Sequence, residues 1–263
     1  MSEVEGRPAG TMSTERRYGI AISVALILGG VYWALTSLTE ETKTSRQDYP
    51  VVGTSLTIES RSADLQVRSG DVSQITVDRR VERNALGSDP KEKYEDGKLE
   101  IRDSGCGFLS FGCDTEYVVT VPKDLNVTVE SSSGDLKVAG LGGTSTALKT
   151  SSGGIEAQQI SGELTLESSS GDLEATDLTA GSVTGKSSSG SVRLLFRTAP
   201  TKVQVESSSG DVSVLLPTGT ESYKVETDSS SGDENTNVKM DPAATRSIKV
   251  ETSSGDASVE YGR

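Results

Sequence analysis

Residues 130–138 read ESSSGDLKV, residues 167–175 read ESSSGDLEA and residues 206–214 read ESSSGDVSV. Aligned on its glycine, the same turn recurs at Gly134, Gly153, Gly171, Gly190, Gly210, Gly232 and Gly255, at spacings of 19, 18, 19, 20, 22 and 23 residues. A divergent copy, ESRSADLQV at 59–67, carries Ala63 in the glycine slot. Self-similarity at this period marks a solenoid, in which each repeat is one coil and neighbouring coils bury one another.

Each turn sits between two stretches of period-two alternation, the pattern of a half-buried strand. Val127 and Val129 precede the first turn and Leu136 and Val138 follow it; Leu164 and Leu166 pair with Leu173 and Ala175, and Val203 and Val205 with Val212 and Val214. The serine-glycine segment is then the corner, where glycine supplies a backbone conformation that a side chain opposes. The expected fold is all-β, a single-stranded, β-helix-like solenoid with 18–23 residues per coil, its rungs about 4.8 Å apart.

The charges follow the same stacking. Four residues before successive glycines stand Glu130, Lys149, Glu167, Lys186 and Glu206, which alternate in sign down a column. After the glycine, Asp135, Asp172 and Asp211 alternate with Gly154 and Ser191. The late repeats break the pattern, with Glu206, Asp228 and Glu251 in one column and Asp211, Asp233 and Asp256 in the other. They read as an acidic solvated edge, with a loose cation site as the alternative.

Composition narrows the function classes. The 263 residues are 33% hydrophobic and 4% aromatic, carry a formal charge of −13 and include no His. No basic stripe is available for nucleic acid. Ser-His-Asp and Cys-His catalysis and His-containing zinc sites are excluded. The repeated serines have no activating base and read as a hydroxyl column bonding across rungs. Neither a cofactor, a metal nor a catalytic residue is predicted.

Residues 18–39 form 22 uncharged positions between Arg16–Arg17 and Glu40–Glu41. That length predicts an N-terminal transmembrane helix acting as an uncleaved anchor, with residues 1–17 cytoplasmic and the rest outside. A cleaved signal peptide is the rival reading. Residues 40–50 read as a linker to an extracellular solenoid at 51–263: an irregular part at 51–129, and regular repeats at 130–263. RSGDVSQITVDRRVE at 68–82 reads as a hairpin. Cys106 and Cys113 bracket GFLSFG, a loop that a disulfide can close, with two free thiols as the alternative.

The anchor, the VP at 121–122, and the TVESSSGDLKV and TSSGGIEA repeats resemble the bacterial DUF4097 family over roughly residues 51–261. The resemblance implies a β-helix-like fold and an adhesin label, links to envelope-stress proteins, and brings no catalytic residues. The expected function is a non-enzymatic, membrane-anchored, single-pass cell-surface domain that binds an envelope polymer or surface protein, or acts as a scaffold. One alternative is end-to-end self-association into a polymerising β-helix through an uncovered last coil, VETSSGDASVEYGR at 250–263. The other is a polysaccharide-active enzyme using Glu167 with Asp172, or Glu206 with Asp211, as its carboxylate pair.

Overall fold

The computed structural model describes residues 26–30, 41–83, 91–103 and 114–262. The first half of its strands are β1 (Glu41–Pro50), β2 (Ser55–Ser62), β3 (Asp64–Gly70), β4 (Gln74–Arg83), β5 (Lys91–Glu95), β6 (Lys98–Asp103), β7 (Asp114–Pro122), β8 (Asn126–Ser133), β9 (Leu136–Ala139) and β10 (Ser145–Ser152). The rest are β11 (Ile155–Gln158), β12 (Glu163–Ser170), β13 (Leu173–Leu178), β14 (Ser182–Ser189), β15 (Val192–Phe196), β16 (Lys202–Ser209), β17 (Val212–Leu216), β18 (Lys224–Ser229), β19 (Glu234–Asn237), β20 (Ser247–Ser254) and β21 (Ala257–Tyr261).

Each repeat enters its corner on one strand and leaves it on another, so the coils build two facing sheets. Sheet A has eleven strands in the order β1-β4-β7-β3-β9-β11-β13-β15-β17-β21-β19. Sheet B has ten, in the order β18-β20-β16-β14-β12-β10-β8-β2-β6-β5. The repeats pair in parallel and in register: Leu148 lies between Val129 and Leu166, and Ala157 between Val138 and Ala175. Inward-facing Val, Leu, Ile and Ala of both sheets make one continuous buried core. Each large aliphatic side chain contributes about 1.5–3 kcal/mol on burial. Phe196 joins this core.

The expectation of a single-stranded solenoid behind a transmembrane helix needs correction on both counts. The coil is two strands in two sheets, and both sheets are mixed, because β1, β4 and β5 run antiparallel to their neighbours. Among the described residues no helix is long and apolar enough to cross a membrane. The described residues in a helix are 26–30, and the rest of the expected span lies outside the described residues. Of the segment expected as a linker, residues 41–50 form strand β1 at the edge of sheet A, with Tyr49 stacked on Tyr94 at 4.7 Å.

Rung order also departs from chain order. The expected hairpin at 68–82 does not close, because β7 lies between β3 and β4. The coil β6–β7 stacks outside the earlier coil β2–β3. At the other end, the last coil, β20–β21, slots between β16–β17 and β18–β19. The outermost rung is therefore residues 224–237, and not the C-terminal coil that the sequence suggests.

The core columns explain this exchange. In sheet A the apolar pair Val212 and Val214 continues into Ala257 and Val259, then into Glu234 and Thr236. In sheet B, Val203 and Val205 continue into Ile248 and Val250, then into Val225 and Thr227. The coil with three polar residues in core slots is outermost, and the apolar coil is sandwiched, which buries more nonpolar surface. The opposite end closes similarly. There Arg79 of β4 and Glu92 of β5 occupy the columns of Tyr117 and Ile101, with Arg79 Nη1 3.8 Å from Glu92 Oε2 and both side chains largely buried.

Candidate functional site

The corners are built by glycine and by the residue after it. Gly134, Gly153, Gly171, Gly190, Gly210 and Gly255 all have φ between +99° and +143°, a region that L side chains avoid. A Cβ on Gly171 would lie 2.1 Å from the carbonyl oxygen of Gly153, and one on Gly232 2.1 Å from that of Gly255. At these two glycines the corners stack too closely for a side chain. The aspartates then tie each corner to the next. Asp135 Oδ1 accepts the amide of Gly154 at 2.9 Å, Asp172 Oδ1 that of Ser191 at 2.8 Å, and Asp211 Oδ1 that of Asp256 at 2.9 Å. At the rims Asp64 serves Asp135, and Asp256 serves Asp233. Among the described residues no group of three or more His, Cys, Asp and Glu could hold a metal ion.

Of the three serines, the first points inward and is buried at Ser131, Ser168, Ser187 and Ser207, with Thr150 and Thr252 in equivalent slots. These hydroxyls do not form a ladder with one another. Ser131 donates to Ser133 O at 2.8 Å and Thr252 to Gly210 O at 3.1 Å, both corner carbonyls. Ser168 and Ser187 have no partner for theirs among the described residues. The small side chain is required where the two sheets converge, and hydrogen bonding is secondary.

The second serine, Ser132, Ser151, Ser169, Ser188 or Ser208, faces outward on sheet B, two residues beyond the charged position on the same face. In space that charged column runs Glu130, Lys149, Glu167, Lys186, Glu206. Lys149 Nζ lies 3.1 Å from Glu167 Oε2, and Lys186 Nζ 3.3 Å from Glu206 Oε2. Hydrogen bonds from Gln204 and Lys186 hold the Glu206 carboxyl below the ordinary carboxylate range, and the Glu167 contact raises Lys149. Beyond this segment three carboxylates stand on adjacent rungs at each end: Glu130, Glu59 and Glu100, and Glu206, Glu251 and Asp228. Lysines from the neighbouring column offset them, with Lys98 2.7 Å from Glu59 and Lys249 2.7 Å from Glu251.

Two shallow grooves run along this face and meet at Lys149. One, of about 360 Å³, lies between the charged and serine columns from Lys149 to Glu206. The other, of about 530 Å³, continues toward β6 past Glu130, Glu59, Arg61 and Arg102. The carboxylates considered for sugar cleavage are held apart in separate roles. Glu167 and Glu206 pair with lysines on the sheet, while Asp172 and Asp211 accept corner amides. A Glu206 held ionised is unsuited to donate a proton to a leaving group. Cys106 and Cys113 lie outside the described residues.

The axial trough is the part of this face that sequence reasoning missed, since it depends on which rungs are neighbours; its signal was the outward serine two residues after each alternating charge.

Solved structures share this architecture. A "putative adhesin" from Bacteroides fragilis matches with a TM-score of 0.54 and 14% identity, over 82% of this chain and 97% of its own. A second "putative adhesin", from Parabacteroides distasonis, matches with a TM-score of 0.53 and 11% identity, over 83% and 97%. At these identities the likeness is one of fold. No curated protein matches the sequence. A family model, Toastrack DUF4097, matches residues 54–263. Stacked rungs joined at glycine corners across nearly that whole span are thus the form that this family's sequence takes here, and the chain belongs to the Toastrack DUF4097 family.

Proposed function

We propose that the protein is a non-enzymatic surface module whose sheet B face grips an extended, hydroxyl-rich envelope polymer, in the manner of an adhesin. The trough formed by the two grooves meeting at Lys149 carries this reading. It runs along the stacking axis and offers a charge on each rung, about every 4.8 Å, with outward serines beside it and signs that alternate from Glu130 to Glu206. A polymer lying along that axis meets the same donor and acceptor set repeatedly. Each contact is weak, because the face is flat and lacks aromatic platforms, and affinity comes from repetition. The adhesin names of the two structural neighbours agree with such a role. The role requires exposure outside the cell, where the polymer is.

The test is calorimetric titration of the full chain with isolated envelope polysaccharide, alongside the Ser169→Trp and Ser188→Trp variants, whose bulk fills the groove. Binding by the parent chain that each variant weakens at least tenfold is expected. Equal binding by all three would exclude this face, and turnover of the polysaccharide would replace the binding role by an enzymatic one.

A further inference from the structure

The outward serine column changes its chemistry at one end. In the divergent repeat ESRSADLQV at 59–67, Arg61 stands where the regular repeats carry their second serine. Ser60 pairs with Ser131 and Ser62 with Ser133, which sets Arg61 beside Ser132 on the neighbouring rung. On its other side Ser60 pairs with Ile101. Arg61 and Arg102, next along their strands, therefore stand on adjacent rungs, about 4.8 Å apart. Both are exposed, and they line the same groove as Ser132 and Ser151. At the opposite end of the face the column stays serine, with Ser208 beside Ser253.

The carboxylates beside this pair are already engaged. Lys98 Nζ lies 2.7 Å from Glu59 Oε1 and 3.3 Å from Glu100 Oε1. Arg102 Nε donates to Glu100 Oε2 at 2.7 Å, and Lys149 is held by Glu167. Among the described residues Arg61 has no ion pair. A guanidinium takes a carboxylate or phosphate through two parallel N–H bonds, and two guanidiniums one rung apart can share one oxyanion. Glu130, one rung beyond Arg61 in the charged column, bounds the site and keeps an anion from sliding toward Lys149. We propose that Arg61 and Arg102 form an oxyanion step at the β6 end of the trough, and that the polymer is acidic, docking a carboxylate or phosphodiester there while its hydroxyls follow the serines. The step rests on the trough being the binding face, and it gives the bound polymer a direction. The net charge of −13 repels a polyanion at long range, so the preference comes from this local pair.

The measurement is calorimetric titration of the full chain in mild detergent with polygalacturonate, with its carboxyl-reduced neutral form and with poly(glycerol phosphate). The parent is expected to bind an acidic polymer at least about tenfold tighter than the neutral one, and the tighter of the two acidic polymers tells carboxylate from phosphate. Arg61→Ser, which installs the serine that the regular repeats carry there, should erase that preference without changing affinity for the neutral polymer. Arg193→Ser, the same charge change on the exposed outer face of sheet A, should keep it. Equal binding of acidic and neutral polymers by the parent would overturn the arginine step and leave the trough standing. So would a preference that Arg61→Ser keeps, or one that Arg193→Ser removes as well. Binding of none of the three polymers would overturn both the step and the trough.

Discussion

The carboxylate of Asp135 accepts the amide proton of Gly154 at 2.9 Å, one rung further along the stack. The same bond recurs from Asp172 to Ser191 and from Asp211 to Asp256, which gives the D of the SSSGD turn its reason. Its effect is to close the row of corner amides that the adjoining strands leave open. Asp135→Ala is expected to lower unfolding free energy by about 1 kcal/mol. Asp135→Asn, which retains an acceptor oxygen, should lose less than half of that. Denaturant unfolding of the two variants checks it, and equal losses would detach the aspartate from the amide.

Glycines in this chain are not interchangeable. Gly171 has φ +142° and a Cβ there would lie 2.1 Å from Gly153 O, whereas nothing lies within 4 Å of a Cβ on Gly181. Gly171→Ala should cost at least about 3 kcal/mol, from backbone strain plus displacement of the adjoining corner. Gly181→Ala should be close to neutral. Thermal unfolding of the pair is the measurement, and similar melting points would contradict the close corner stacking.

The charged column predicts a salt dependence. Lys149→Glu would set five carboxylates, from Glu100 through Glu59, Glu130 and position 149 to Glu167, on consecutive rungs. Its Tm should fall below the parent's at low ionic strength, and the gap should close near 1 M salt, where screening reaches about 3 Å. A gap that does not respond to salt would mean lost packing and not repulsion.

The polar closure at β4 and β5 predicts sensitivity to alkali. Burial, with the nearby Glu92 carboxylate, pushes the Tyr49 hydroxyl up to about 12, and burial raises Tyr117 as well. An unfolded tyrosine ionises near pH 10, so between pH 10 and 12 the unfolded chain releases protons that the folded chain keeps. The stabilisation is complete below pH 10 and is lost as pH rises through the folded values. Tyrosinate absorbance should lag a denatured control across that range while unfolding free energy falls. Coincident titrations would contradict a buried cluster. Glu92→Ala, which removes one of the causes that raise Tyr49, should narrow that lag.

Much of the fold is legible from ESSSGDLKV and its copies, because corner glycines and period-two alternation are local properties. Their stacking sets Leu148 between Val129 and Leu166. Which rung neighbours which is a non-local property, decided by how much apolar surface each order buries. The spacing of glycines places residues 250–261 last, although Ile248, Val250, Ala257 and Val259 demand cover on both sides. The contrary signal lies in VETDSSSGDENTN at 225–237, where Thr227, Glu234 and Thr236 stand in apolar slots. Arg79 and Glu92 give the same signal at the other end, masked by the irregular spacing of 68–129. The trough on sheet B was half legible. Its charges and serines are periodic, but its continuation past Glu130 to Glu59 and Glu100 follows from β2 and β6 pairing beyond β8.

The exchange of the last two coils is tested most directly by paired cysteines on the outer face of sheet A, where Ser213, Ser258 and Asn235 share one column. Adjacent parallel strands bring Cα atoms about 4.8 Å apart, within disulfide reach, and a rung between them doubles that distance. Under mild oxidation, Ser213→Cys/Ser258→Cys is expected to form the cross-link, identified by peptide mapping, and Ser213→Cys/Asn235→Cys to form none. A cross-link between 213 and 235, with none between 213 and 258, would restore chain order to the stack and remove the polar rung from its end.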